Sequence, residues 1–145
     1  MTVDVTLART QAQIAQCLAL RWDVFVVEQA VPEYEERDGE DAHCTHVLAL
    51  KNGVPVGAAR FQPVDGYMKI QRVCVPKSAR GHGVGVKIMR FMMDHIAAEG
   101  QVTCLRLGAQ THALAFYEAL GFVAFGHEYL DAGIAHYDME WHVTS

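Results

Sequence analysis

The chain has no uninterrupted apolar stretch of the roughly 18 residues that a membrane-spanning helix needs. Charges break its Leu, Ile, Val and Met runs at short intervals. Its opening residues, MTVDVTLART, carry neither the basic nor the apolar region of a signal peptide, so a cytoplasmic protein with no membrane partner is expected. Neither C-x-x-C nor H-E-x-x-H occurs; His43, Cys44 and His46 come nearest to a ligand cluster, and no metal is expected. Cys17, Cys44, Cys74 and Cys104 are widely spread, three of them inside apolar segments, which suits reduced core thiols. There is no internal repeat and no low-complexity linker. A basic excess is missing as well: the net charge is -5, and residues 33–41 (EYEERDGED) hold six acids and one base, leaving eleven of each elsewhere. That balance excludes a nucleic-acid footprint. The acidic stretch is either a solvated loop or, beside a site, a lure for a cationic substrate.

What is present is enough apolar material for a full core, 51% of 145 residues, and one domain over residues 1–145 is expected. Residues 68–99 organise the rest. MKIQRVCV is rich in β-branched residues and stops at Pro76, which predicts a strand. Lys77 to Gly85 forms a glycine-rich turn, and from Val84 onward Ile88, Phe91, Met92 and Ile96 recur at helical spacing. Gly81, Gly83 and Gly85 thus lie where a helix begins, and free N–H groups at the positive dipole end suit an anion.

Around that unit, VDVTLA at residues 3–8 alternates as a half-buried strand. Thr10 caps a helix that carries Ile14, Leu18, Trp22 and Phe25 on one face and extends toward Val27. The acidic stretch is a loop or a broken short helix. Residues 45–50 and 56–62 form a hairpin about Asn52 and Gly53, and Pro63, Asp65 and Gly66 turn the chain into the central strand. Gly100 ends the long helix, residues 102–107 form a strand parallel to the central one, and 109–122 reads as a short helix stopped by Gly121. Two last strands, 123–130 and 136–143, flank a turn at Asp131 to Ile134. The fold class is α+β: a mixed, mostly antiparallel central sheet flanked by helices. A strand such as 136–143, if it lies at the sheet edge, would be the place for a homodimer.

The glycine spacing separates the anion sites. A P-loop sets its lysine after the last glycine, whereas Lys77 precedes all three, and a dinucleotide fingerprint needs G-x-G-x-x-G among parallel strands. Here the pattern is R-x-x-G-x-G at Arg80, Gly83 and Gly85, after a strand ending V-x-V at Val73, Cys74 and Val75. This resembles motif A of the GNAT superfamily of acyl-CoA-dependent N-acyltransferases. AFYEALGF at 115–122 resembles that superfamily's later helix, and the order of elements is similar along nearly the whole chain. VFVVEQAVPEYEERDGED with a later His46, and YLDAGIAH at 129–136, resemble the ElaA/YjcF-like branch of small bacterial GNAT proteins.

The resemblance implies an acetyl-CoA donor, with the backbone of Val73, Cys74 and Val75 pairing along the pantetheine arm. The amides of Arg80, Gly81, His82, Gly83, Val84 and Gly85 would hold the diphosphate, and Gln110, Phe116 and Tyr117 would complete the cofactor contacts. Tyr117 would donate a proton to the departing sulfur. The acceptor would be a primary amine of a small molecule or peptide. Such an amine is mostly protonated near neutrality, with a pKa of about 10.4, so a base is required. Related branches place a glutamate on the central strand, where this chain has Gln71, and an amide cannot serve. Glu28, His46 and His136, from the branch-specific stretches, remain as candidates; an imidazole's ordinary pKa of about 6.5 suits the task. Arg21, Phe25, Gln29, Gln71 and Arg72 are the expected acceptor-side residues, Arg72 pairing with either the acidic loop or a substrate carboxylate. The missing strand glutamate leaves open a second reading, a CoA-responsive binding module without efficient acceptor chemistry.

Overall fold

The computed structural model describes residues 2–143. Seven strands, β1 (Val3–Ala8), β2 (Thr45–Lys51), β3 (Val54–Val64), β4 (Tyr67–Cys74), β5 (Cys104–Gln110), β6 (Val123–Asp131) and β7 (Ile134–His142), form one sheet in the order β1-β2-β3-β4-β5-β7-β6. All neighbours are antiparallel except β4 and β5. The helices are α1 (Gln11–Arg21), α2 (Glu33–Glu36), α3 (Val84–Glu99) and α4 (Leu114–Glu118).

Local chemistry sets the joints. Thr10 and Gln13 form a reciprocal capping box: the Gln13 amide donates to Thr10 Oγ1 at 3.1 Å, and the Thr10 amide to Gln13 Oε1 at 3.1 Å. At Asn52-Gly53 both residues have positive φ, +52° and +77°, the two-residue turn whose twist matches the flanking strands. Gly100 closes α3 in the left-handed region at φ +69°.

Alternation along the strands feeds two cores. Val47, Ala49, Ala59 and Phe61 pack with Ile88, Met89, Met92 and Ile96 of α3, whereas Leu48 and Ala58 pack with Cys17 and Leu20 of α1. Helices α1 and α3 therefore cover opposite faces of β2 and β3. Gly57 lets α3 approach the sheet, since a Cβ there would stand 2.5 Å from Ile88 Cδ1 and 3.0 Å from Val84 Cγ1.

Several expectations change. The first helix does not continue regularly toward Val27 but widens at Trp22–Glu28 into a π-helical segment, with the Gln29 amide donating to Val24 O at 3.1 Å. The strand expected over 102–107 starts at Cys104 and runs to Gln110, so the helix expected from Ala109 shrinks to α4, preceded by a 3-10 turn. The strand suggested for dimerisation lies between β5 and β6 and is no edge; the edges are β1 and β6.

Two features open the sheet. First, β4 and β5 pair only at Met68↔Leu105, Lys69↔Arg106 and Ile70↔Leu107. Second, β4 bulges: Gln71 lies opposite Arg60 and Cys74 opposite Ala58, so Arg72 and Val73 share one partner position, with Arg72 at φ +57°. The strands part beyond Ile70 and leave a notch.

Candidate active site

A cleft of about 1050 Å³ occupies this notch. On one side its wall is the end of β4 with the residue after it, from Gln71 to Val75, whose backbone finds no further partner on β5. Next comes the glycine turn. Lys77–Ala79 is a 3-10 turn, Gly81 and Gly83 have φ +83° and +77°, and open space surrounds the position a side chain would take at either. No side chain caps α3 and no acid stands in its first turn, which leaves its leading amides available to an anion. Gly85 has a different role: a Cβ there would meet Phe116 Cζ at 3.1 Å, so its absence lets α3 and α4 close on each other across the cleft.

Arg80 is already engaged. Its Nε donates to Val75 O at 2.9 Å, and its two terminal nitrogens grip both oxygens of Glu28 at 2.7 Å each. The Arg80 hydrogen bonds hold the Glu28 carboxyl below its usual range, which makes Glu28 a salt-bridge partner rather than a free base. The π-helical segment carries this residue, together with Phe25, to the cleft wall. Just beyond it, Gln29 Oε1 accepts from Gln110 Nε2 at 2.8 Å, and Gln110 Oε1 lies 2.7 Å from His112 Nε2.

Tyr117 faces the notch from α4, its ring set edge-on to Phe116 at 4.9 Å. Burial pushes its phenol up to about 12, with Cys74 as a neighbour, so the hydroxyl keeps its proton at neutral pH. The Cys74 thiol is likewise raised to about 12 by burial, which removes it as a nucleophile.

His136 lies on the opposite wall, 8% exposed, with Nδ1 2.7 Å from Ile134 O. A carbonyl only accepts, so this contact places the proton on Nδ1 and leaves Nε2 as the basic nitrogen of the neutral ring. The Tyr129 ring stacks on it, centroids 5.8 Å apart, and the Tyr129 hydroxyl donates to Asp138 Oδ1 at 2.7 Å. Gly108 makes room for that hydroxyl, since a Cβ at 108 would stand 2.5 Å from it. Gly108, Tyr129 and Asp138 are wall residues that sequence reasoning missed. The signal was Gly108, which falls inside β5 once that strand runs on to Gln110, and a glycine within a strand marks a close approach.

Two expected site residues lie elsewhere. Arg21, 1% exposed, is buried against Glu36 (2.7 Å) and Asp41 (2.6 Å). His46, 4% exposed, lies beneath the acidic loop with Nε2 2.9 Å from Asp41 O and Nδ1 buried without a partner. Both are apolar-segment polar residues drawn inward by the acidic loop and absent from the cleft wall. His82, whose expected contribution is its backbone amide in the glycine turn, is exposed and lies by a separate depression with Lys51 and Lys87. The loop itself is no solvated tail. Arg60, fully buried, binds Asp38 (2.6 Å) and Asp41 (2.8 Å), and Arg72 donates to Glu35 O (3.0 Å) and Glu36 O (3.3 Å), which commits Arg72 to the loop. Among the described residues, Cys104, Glu140 and His142 are the group whose donor atoms converge enough for a metal, away from the cleft wall; Arg106 Nε competes for Glu140 at 3.3 Å. Among the described residues no helix is long and apolar enough to cross a membrane.

Comparison with known proteins agrees with this geometry. The family profile described as Acetyltransferase (GNAT) domain matches residues 7–143. The Bacillus subtilis protein named uncharacterized N-acetyltransferase YjcF is 40% identical over 138 residues, 94% of this chain and 98% of its own. The crystal structure of an acyl-CoA N-acyltransferase from Pseudomonas aeruginosa superposes with a TM-score of 0.85 at 31% identity, covering 96% of this chain and 99% of that one. Escherichia coli ElaA superposes with a TM-score of 0.86 at 30% identity, again over 96% and 99%. A parted β4 and β5, an uncapped helix start after R-x-x-G-x-G and a match over nearly the whole length together make this chain a member of the GNAT acetyltransferase family.

Proposed function

We propose that this protein moves an acetyl group from acetyl-CoA to a primary amine of a small molecule or peptide by direct attack, as one catalytic domain working in the cytoplasm. The observation that carries the reading is that the unpaired end of β4 and the uncapped first turn of α3 line one cleft. An extended pantetheine arm would pair with the Val73 to Val75 backbone as an added strand, and the Arg80 to Gly85 amides would meet the diphosphate.

The chain's own groups supply the chemistry. The acceptor ammonium must lose a proton, and His136 Nε2 is the basic atom left by the Nδ1 contact with Ile134 O. As nitrogen attacks the thioester carbon, a backbone N–H in the unpaired stretch would donate to the oxygen that gains charge. The carbon–sulfur bond then breaks, and Tyr117, kept protonated by burial, gives its proton to the departing thiolate. Gln71 and Arg72 border the same space and would shape it.

A second reading, a CoA-responsive module without efficient turnover, is favoured by Gln71 in place of a strand carboxylate and by the pairing of Glu28 with Arg80. Two measurements separate the readings. Acetyl-CoA should raise the melting temperature, and a Gly83→Val, Gly85→Val double variant should lose that shift; a shift retained in a folded double variant would sink the assigned site. Thiol release with an amine panel that collapses in Tyr117→Phe supports acyl transfer, whereas binding without release for any amine supports the module.

A further inference from the structure

The wall around His136 holds a carboxylate for which the transfer chemistry just described has no use. Asp138 lies two positions along β7 from His136, on the same face, opposite Gly108 of β5. Its Oδ1 accepts from the Tyr129 hydroxyl at 2.7 Å, and Oδ2 has no partner among the described residues. Arg106, on the same wall, makes its contacts elsewhere: its Nε lies 3.3 Å from Glu140, and its Cζ sits over the Tyr67 and Phe125 rings at 4.7 and 5.1 Å. Asp138 therefore faces the cleft as an acid whose one contact here is a neutral hydroxyl.

That contact is built rather than incidental. Tyr129 reaches it from β6 while its ring stacks on His136, and the geometry requires glycine at 108, where a Cβ would stand 2.5 Å from the hydroxyl and 3.8 Å from Asp138 Oδ1. A carboxylate so oriented binds a cation through a charge-assisted hydrogen bond. It does not suit the reacting nitrogen, because a bound carboxylate would hold that nitrogen protonated and oppose attack. One strand repeat from His136, about 6.6 Å along the strand, it suits a second nitrogen on the same acceptor.

Resting on the acetyl-transfer reading, we infer that Asp138, oriented by Tyr129, is the acceptor-selecting carboxylate of this cleft and that the acceptor is a diamine, one nitrogen facing His136 and the other, as ammonium, on Asp138. Tyr129 and Gly108 are positioning residues in this arrangement: one fixes the carboxylate and the other leaves room for the hydroxyl that does so.

The test is initial-rate thiol release from acetyl-CoA with three acceptors of equal reach: putrescine, n-butylamine and γ-aminobutyrate. The wild-type protein should prefer the diamine in kcat/KM over both others by about tenfold or more, the worth of one charge-assisted hydrogen bond. Asp138→Asn should abolish that ratio chiefly by raising KM for putrescine, and Gly108→Ala and Tyr129→Phe should reduce it. A wild-type preference for the monoamine or the amino acid, or a ratio unchanged in Asp138→Asn, overturns the inference and leaves acetyl transfer standing. Release with none of the three, and with no other amine in the panel, overturns the acetyl-transfer reading and the inference with it; the acetyl-CoA melting shift shows whether the cofactor site survives.

Discussion

Glu28 and Arg80 meet through two 2.7 Å contacts at the cleft wall, both side chains well exposed to solvent. A diphosphate arriving at the glycine turn meets a guanidinium whose charge is already shared with a carboxylate. Glu28→Gln should therefore tighten CoA binding several-fold, since a competitor and a repelling charge go together. Isothermal titration at low and high salt checks this; the gain should shrink as salt screens it, and weaker binding in the variant would count against the competition. Tyr117 gives the second prediction at this scale. Its phenol, raised to about 12, stays protonated up to that pH, so tyrosine ionisation should add no alkaline decline to kcat below about pH 11. Removing the hydroxyl in Tyr117→Phe should lower kcat by about a hundredfold, the lower end of a general acid's contribution, while CoA still binds.

Gly57 shows how one element is fitted to another. β3 carries it where α3 crosses, and a methyl there would drive into Ile88 Cδ1 and Val84 Cγ1, with Cys74 O 3.3 Å away. Gly57→Ala should destabilise the fold by about 1–3 kcal/mol, read from denaturant melts. It should also disturb CoA binding, because Val84 opens α3 beside the glycine turn. Elements of this kind divide by how far their causes reach along the chain. The Thr10 cap, the Asn52-Gly53 turn, the α3 face and the Gly100 stop were legible, because each is written within a few residues. The R-x-x-G-x-G turn was legible for the same reason, although Gly85 proved to answer to Phe116. The π-helical widening at Trp22, the Arg72 bulge and the interior place of β7 were not, because packing partners far along the chain decide them. Arg21 and His46 misled for a related reason: a polar residue in an apolar run looks the same whether a pocket awaits it or, as here, the Glu36 carboxylate and the Asp41 carbonyl of the acidic loop.

Across the whole molecule, the acidic stretch is tied down by charge. Glu36, Asp38 and Asp41 are met by Arg21, Arg60 and Arg72, two of the arginines almost fully buried. Burial alone would raise the Asp38 carboxyl, but hydrogen bonds from Arg60 outweigh it and hold it at about 2, below the ordinary 3.8. A depressed folded value means that the stabilisation is complete above pH 3.8 and is lost as pH falls toward about 2. Melting temperature followed over that window should drop, and Asp38→Asn should drop less within it; parallel curves would show that the loop charges do not drive acid unfolding. The short β4–β5 contact reaches further. Three ladder pairs are all that the strands contribute to joining residues 3–74 to residues 104–142 within the sheet. The β2–β3, β3–β4 and β6–β7 pairs are hairpins closed by short turns, whereas this seam, like the longer β1–β2 ladder, unites residues more than thirty positions apart and must overcome their loop-closure entropy. With three pairs against the six of β1–β2 to offset that cost, it should be the soft line of the native sheet. Amides flanking the notch should exchange with deuterium ahead of those in β2 and β3, and a ligand laid along β4 should slow exchange in both halves at once.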